Sequence, residues 1–180
     1  MTRVIAGLAK GRRLRVPPGL ATRPTAERAR EGLFSSLLSL LEIEGARVLD
    51  LYAGSVALGL EALSRGAASV TLVENDVEAV AALRANAELL RLPGAHILAQ
   101  PVERFLPVDP EPRYDLALLD PPYEQDVLPV LEQLRPWLAE DAVVAVERST
   151  RGPQLAWPVG YCPVRSRRYG AATLWYARQC

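Results

Sequence analysis

The chain has one histidine and two cysteines. A lone histidine, His96, gives a Ser-His-Asp triad little support, and it reads as a strand or loop residue rather than a catalyst. Two thiols near one end, Cys162 and Cys180, do not make a disulfide framework or a zinc site, so no metal site is expected. No apolar run approaches the roughly 18 uncharged residues of a membrane span. The opening stretch MTRVIAGLAKGRRLRVPPGL has no signal-peptide h-region before its arginines. These absences point to a cytoplasmic protein with no membrane partner. Lysine is almost missing too, since 20 of the 21 basic residues are arginine.

What is present is a folding sequence. Of 180 residues, 49% are hydrophobic, enough for one domain with a substantial core, or one domain with a small arm. The net charge is zero but unevenly spread. Residues 1–30 carry Arg3, Lys10, Arg12, Arg13, Arg15, Arg23, Arg28 and Arg30 against Glu27, a net +7. Residues 148–180 carry Arg148, Arg151, Arg165, Arg167, Arg168 and Arg178 with no acid, a net +6, so the middle sums to −13. Scattered solvated arginines are the plain explanation. The clustering at both ends favours contact with a polyanion, and Arg3, Lys10, Arg12, Arg13, Arg15, Arg23, Arg165, Arg167 and Arg168 are its candidate contacts.

The order of elements is that of an α/β protein. VIAGLAKGRRLRV reads as a basic hairpin, Val4–Ala9 and Arg12–Val16, turning at Lys10-Gly11. A Pro/Gly linker follows, then a helix with Thr25 as N-cap and Leu33, Leu37, Leu40 and Leu41 on one face. From residue 46, apolar strands (RVLDLY, SVTLVE, HILA, YDLALLD, AVVAVE) alternate with helices, one of which, QDVLPVLEQLRPWL, includes proline. CPVRSRRYG and ATLWYARQ close the chain as a hairpin with Gly170 in its turn. Continuous apolar strands between amphipathic helices imply a mostly parallel sheet covered on both faces. The expected division is an arm over residues 1–20 and an α/β domain over 21–180.

In such a sheet, ligands collect beyond the carboxyl ends of the strands. The first ends in LDLYAGSVALGLEA, where Gly54, Val56 and Gly59 stand in the register of a GxGxxG loop. A valine Cβ at the middle position argues against NAD, whose pyrophosphate needs close backbone approach. It argues less against S-adenosylmethionine, which has no pyrophosphate. Asp50 precedes the loop and is placed to accept a hydrogen bond or attract a ligand's ammonium group. Glu74 ends the second strand, 24 residues on, where an acid binds ribose hydroxyls; the capping role suits Asp76 better. After the third strand an adenine can lie over Val102. The fourth ends in Asp120-Pro121-Pro122-Tyr123. An exocyclic amine is a poor nucleophile because its lone pair is delocalised into the ring. Acceptors aimed at its N–H bonds oppose the positive charge that develops during attack. Asp120 supplies a carboxylate and Pro121 a carbonyl, Pro122 stiffens the row, and Tyr123 offers a face on which an extruded base can stack.

At this point RVIAGLAKGRRLRVP, RPTAERAREGLF, LDLYAGSVALGLEALSRGA, VTLVENDVEAV and DLALLDPPY together resemble a bacterial family. It is the methyltransferase family that modifies a guanine N2 in small-subunit (16S) ribosomal RNA. The likeness covers about the first 125 residues and, more loosely, the rest. It implies a class I, Rossmann-like methyltransferase fold with a seven-stranded, mostly parallel sheet, helices on both faces and a small N-terminal β-hairpin arm. It implies S-adenosylmethionine as cofactor, held by Asp50, Gly54 and Glu74, with the RPT helix closing the site. The full candidate cofactor set is Thr25, Asp50, Tyr52, Gly54, Ser55, Glu74, Asn75, Val102 and Asp120. Asp120 to Tyr123 would hold the target amine. Ribosomal RNA, alone or within a partly assembled small subunit, would be the partner of a monomer. The chain departs from the family at Val56, where the family has glycine, and at Pro101. Three rivals differ in what they require. A DNA adenine-N6 methyltransferase usually needs a sizeable target-recognition region, and only 57 residues follow Tyr123. A silent RNA-binding assembly factor would fail to bind S-adenosylmethionine. An NAD oxidoreductase lacks a hydride-transfer acid or base.

Overall fold

The computed structural model of the protein describes residues 2–18, 24–55 and 58–180, with the backbone alone at 24 and 25. The strands are β1 (Thr2–Arg3), β2 (Arg13–Leu14), β3 (Arg47–Leu51), β4 (Ser69–Glu74), β5 (Ala95–Ala99), β6 (Tyr114–Leu119), β7 (Leu138–Ser149), β8 (Tyr161–Tyr169) and β9 (Ala172–Gln179). The helices are α1 (Pro24–Leu38), α2 (Leu58–Ser64), α3 (Val77–Leu90), α4 (Val102–Phe105) and α5 (Leu128–Leu134). Strands β3 to β9 form one sheet in the order β5-β4-β3-β6-β7-β9-β8. The first five in that row are parallel, and β9 and β8 close it antiparallel. The mostly parallel seven-stranded α/β sheet is as expected.

The apolar strands follow from burial on both faces. Val48, Leu72, Leu116 and Val143 join one core, which also takes Phe34 and Leu37 of α1, Leu60 of α2 and Leu83 of α3. Their neighbours Leu49, Val73, Ala117 and Val144 join the other, with Phe105 of α4 and Leu131 of α5. Trp137 seals that side by stacking on Phe105 at 4.4 Å and donating from its indole nitrogen to the Leu106 carbonyl at 3.0 Å. Each such fully buried Leu or Phe contributes about 1.5–3 kcal/mol. Truncating one, as in Leu83→Ala, costs about 2–5 kcal/mol because a cavity remains.

Several local expectations are corrected. The hairpin's ladder joins Thr2–Arg3 to Arg13–Leu14, Val4 adds bonds to Arg12 and Gly11, and the bend spans residues 5–10 rather than Lys10-Gly11. Its backbone is drawn off by α2. The Glu61 carboxylate accepts from the Ile5 and Ala6 amides at 2.9 and 3.0 Å, and the Ser64 hydroxyl accepts from Ala9 at 2.9 Å. Helix α1 begins at Pro24, which suits the first turn because it needs no N–H there. Thr25 therefore lies inside the helix instead of capping it. Leu40 and Leu41 fall after its end, and the buried stripe is Ala29, Arg30, Leu33, Phe34 and Leu37. Helix α5 starts at Leu128, with Pro129 in its first turn, and gives way to a tight 3-10 turn at Arg135–Trp137. Pro136 cannot donate to the carbonyl four residues back, so the α-helix stops there. Cys162 and Cys180 form a disulfide with Cα atoms 5.8 Å apart. The β8–β9 ladder places Cys162 opposite Arg178, which brings two residues 18 apart in sequence together.

Candidate active site

The chain leaves β3 toward β4 and β5 on one side and toward β6 and β7 on the other. The carboxyl ends of β3 and β6 therefore flank the switch point at which open α/β sheets bind ligands. Four acids stand at or near the carboxyl ends of four adjacent strands there: Glu74 closes β4, Asp50 is the last residue but one of β3, Asp120 follows β6, and Glu147 lies two residues before the end of β7. Each stands two residues after a member of the core that holds α1 to α3, namely Leu72, Val48, Leu118 and Ala145. Strand side chains alternate with period two, so all four acids turn to that same face.

Asp50 is 1% exposed, and its Oδ2 accepts from the Gly59 amide at 2.7 Å. Burial pushes its carboxyl up to about 7, against that hydrogen bond, and the charges of Asp120 and Glu74 add to the rise. Asp50 thus fastens α2 to β3 from inside. Gly59 is required for the approach, because a Cβ there would lie 2.4 Å from Val70 Cγ1. The Glu74 carboxylate is half-buried and gathers three amides: Gly54 on Oε2 at 2.7 Å, and Asn75 and Asp76 on Oε1, each at 2.8 Å. Asp76 caps α3 through Ala79, as its sequence position indicates. Tyr52 sits at a φ of 59°, in the left-handed region, and turns the chain out of β3. Its hydroxyl donates to Glu103 at 3.3 Å and accepts from Gln125 at 2.7 Å. Burial pushes that hydroxyl's pKa up. Ser55 is buried, and its carbonyl accepts from Asn86 at 3.1 Å.

Asp120 is open to solvent on one side and crowded by protein on the others. That burial raises its carboxyl to about 6, against the pull of Arg148. Glu147 rises to about 7 through burial and the charge of Asp120. Tyr123 is 47% exposed, so its ring is available, and its hydroxyl is shifted upward by burial and by Glu147 and Asp120. The Pro122 carbonyl is not presented outward. It accepts from the Gln125 amide and from Arg148, both at 3.0 Å. Arg148 also donates to the carbonyls of Tyr123 at 2.7 Å and Gln125 at 2.9 Å. Among the described residues no donor reaches the Pro121 carbonyl.

The structure therefore brings Tyr52, Gly54, Ser55, Glu74, Asn75 and Asp120 to Tyr123 together at the carboxyl ends of β3, β4 and β6, with Asp50 buried beneath them, where a sheet of this kind forms its ligand crevice. Val102 is not offered to it, because this first residue of α4 packs inward and is 3% exposed. Val56 and Arg23, and the side chain of Thr25, lie outside the described residues. The basic candidates fall in two places. Lys10, Arg12, Arg13 and Arg15 are exposed on the arm; Arg167 and Arg168 are exposed and Arg165 half-buried on the edge strand β8. Arg3 is exposed beside Glu27 at 3.7 Å. Helix α1 joins the two places. Arg30 donates to the Arg3 carbonyl at 2.7 Å, and Gly32 comes so near β8 that a Cβ would lie 2.1 Å from the Tyr169 ring.

Sequence reasoning missed Arg148, Glu147 and Asn86. Asn86 is fully buried in α3; it accepts from the Arg15 amide at 2.7 Å and donates to the Arg15 carbonyl at 2.9 Å. Its signal was an amide on the buried stripe of a mostly apolar helix.

The chain matches the family Cons_hypoth95, "Conserved hypothetical protein 95", over residues 2–178. It is 38% identical over 148 residues to "Ribosomal RNA small subunit methyltransferase D" of Escherichia coli, covering 81% of this chain and 73% of that protein. The protein of that name from Haemophilus influenzae is 36% identical over 159 residues, covering 84% and 80%. Among solved structures, "Putative methyltransferase yhhF from Escherichia coli" superposes with a TM-score of 0.87 at 34% identity, covering 99% of this chain and 97% of that one.

Proposed function

The chain belongs to the Cons_hypoth95 family, and from that premise we propose that it is an S-adenosylmethionine-dependent methyltransferase that acts on small-subunit ribosomal RNA, at the exocyclic N2 of a guanine. The observation that carries this reading is the placement of Asp120-Pro121-Pro122-Tyr123 beside the crevice bounded by Gly54 and Glu74. An amine acceptor and a nucleoside-binding acid then meet at one switch point. The names of the relatives supply the RNA.

In this reading Glu74 meets the ribose hydroxyls through its remaining lone pairs, and its three amides hold the carboxylate in place. Tyr52, Gly54, Ser55 and Asn75 shape the wall around the cofactor, and Asp50 holds that wall from beneath. The cofactor supplies an electrophilic methyl group. Asp120 and the Pro121 carbonyl accept the amine's N–H bonds as its nitrogen becomes positive, and Tyr123 stacks on the base. The arm over residues 1–20 and the arginines of β8 engage RNA phosphates on either side of α1. The RNA is met alone or in a partly assembled subunit, by a monomer in the cytoplasm. No helix among the described residues is long and apolar enough to cross a membrane.

Two measurements test the proposal. Calorimetry should show binding of S-adenosylmethionine and none of NAD; the reverse sinks it. A mass map of ribosomal RNA from cells with and without the protein should differ by one N2-methylguanosine. Identical maps reject the reaction.

A further inference from the structure

Strands β6 and β7 run parallel with Leu119 opposite Val146. The next residue on each, Asp120 and Glu147, therefore stands beside the other at the edge of the crevice. The alternation that sends Leu118 and Ala145 to the α1 face sends both acids there too. Arg148, one residue on, turns the other way and grips the loop carbonyls. Among the described residues Glu147 has no ion pair and no hydrogen bond to its carboxylate. It is half-buried, and its charge reaches both Asp120 and Tyr123. Nothing in the methyl-transfer chemistry above uses it.

Neighbouring parallel strands lie about 4.8 Å apart. Two carboxylates at that spacing converge on a pair of donors on neighbouring groups of one ring edge. Guanine carries such a pair, N1–H beside the N2 amine. Adenine and cytosine put a bare ring nitrogen, an acceptor, beside theirs. An ionised carboxylate only accepts, so it binds the first arrangement and repels the second. We infer that Glu147 is the specificity-determining residue of the site, accepting the N1–H of the target guanine while Asp120 accepts from its N2 amine. This rests on the guanine-N2 reading above. It explains how a DPPY loop that would also suit an adenine amine is confined to guanine, with attraction for the right base and an unpaired acceptor against the wrong ones.

The probe is 2-aminopurine, which keeps the N2 amine but has an acceptor at N1. After the methylated nucleotide is mapped with the wild type, small-subunit RNA is ligated around a synthetic segment with guanosine or 2-aminopurine at that position. Each RNA is tested naked and as reconstituted subunits. The wild type should prefer guanosine strongly. Glu147→Gln, nearly isosteric and able to donate, and Glu147→Ala should each shrink the guanosine to 2-aminopurine ratio of kcat/KM by about 10- to 150-fold. Affinity for S-adenosylmethionine should stay within about twofold, which certifies that each variant is folded. The missing O6 of 2-aminopurine affects wild type and variants alike, so the change in ratio isolates N1. A ratio unchanged in the folded Gln variant overturns the role of Glu147 and leaves the guanine-N2 reading intact. A wild-type product other than N2-methylguanosine overturns that reading, and this inference with it.

Discussion

The guanidinium of Arg148 donates to the carbonyl of Pro122 at 3.0 Å, and the same group reaches Tyr123 and Gln125. Three carbonyls of one loop thus hang on one fork, in a geometry an ammonium cannot copy. The prolines stiffen the loop from within, and Arg148 fixes it to β7. Arg148→Lys should slow methyl transfer by about tenfold and Arg148→Ala by about a hundredfold, the scale of a misplaced reacting group. Affinity for S-adenosylmethionine should change less than about threefold. Equal losses in turnover and cofactor affinity would show that Arg148 supports the whole crevice instead of the loop.

Stability and activity should move in opposite directions with pH. Asp50, Asp120 and Glu147 have folded pKa values of about 7, about 6 and about 7, above their ordinary 3.8, 3.8 and 4.5. A carboxyl raised in this way holds its proton more tightly in the folded chain. Its contribution is therefore most favourable at low pH and is lost as pH rises from about 4 to about 7. The urea midpoint should be lower at pH 8 than at pH 5.5. Asp50→Asn, which keeps an acceptor for Gly59, should weaken that dependence and stabilise the chain at pH 8 by on the order of 1 kcal/mol. Methyl transfer should rise over the same interval, because Asp120 accepts the amine's hydrogen only when ionised. A pH-independent midpoint together with a flat rate profile would contradict both assignments.

The sheet and the succession of its strands along the chain were legible because strands buried on both faces read as unbroken apolar runs. The acids Asp50, Glu74 and Asp120 were legible because they end those runs. Glu147 ends one as well, but it was passed over because no motif accompanies it. Arg148 was counted only as charge, since its partners are backbone carbonyls that carry no side-chain signature. The arm was half legible. A hairpin pattern does not reveal that Glu61 and Ser64, two polar residues in an apolar helix, take its amides. Val102 misled because an apolar residue after a strand serves a core or a ligand equally well. Only packing against Phe105 and Leu106 decides.

Glu74 has two roles that one substitution separates poorly and two separate well. Glu74→Ala should weaken S-adenosylmethionine binding by about 1–3 kcal/mol, the scale of lost charge-assisted hydrogen bonds. It should also lower the thermal midpoint without ligand, because the amides of Gly54, Asn75 and Asp76 lose their acceptor. Asp76→Ala removes the cap on Ala79 alone. It should cost about 0.5–2 kcal/mol of stability and little cofactor affinity. Calorimetry and thermal melts on both variants check this. A Glu74→Ala protein with the wild-type cofactor affinity would remove Glu74 from the binding site.

The arm offers the last test, because the structure divides its residues into those that fasten it and those that face outward. Asn86 holds Arg15 by both backbone groups and ties it to the Ser55 carbonyl of the loop after β3. Arg12 is partly committed as well, its guanidinium donating to the Leu89 carbonyl at 3.1 Å. The exposed side chains of Lys10, Arg13 and Arg15 have no such partner among the described residues. Asn86→Ala should therefore cost about 1–3 kcal/mol of stability by stranding buried partners, seen as a lower urea midpoint. Lys10→Ala, Arg13→Ala and Arg15→Ala together should leave that midpoint almost unchanged. They should weaken binding to ribosomal RNA and reduce the slope of log K against log salt by about one for each phosphate that is no longer neutralised. Arg12→Ala should do some of both. If the triple variant bound RNA as the wild type does, with the same salt slope, the arm's charge would play no part in holding RNA. The arginines of β8 would then be the ones to substitute next.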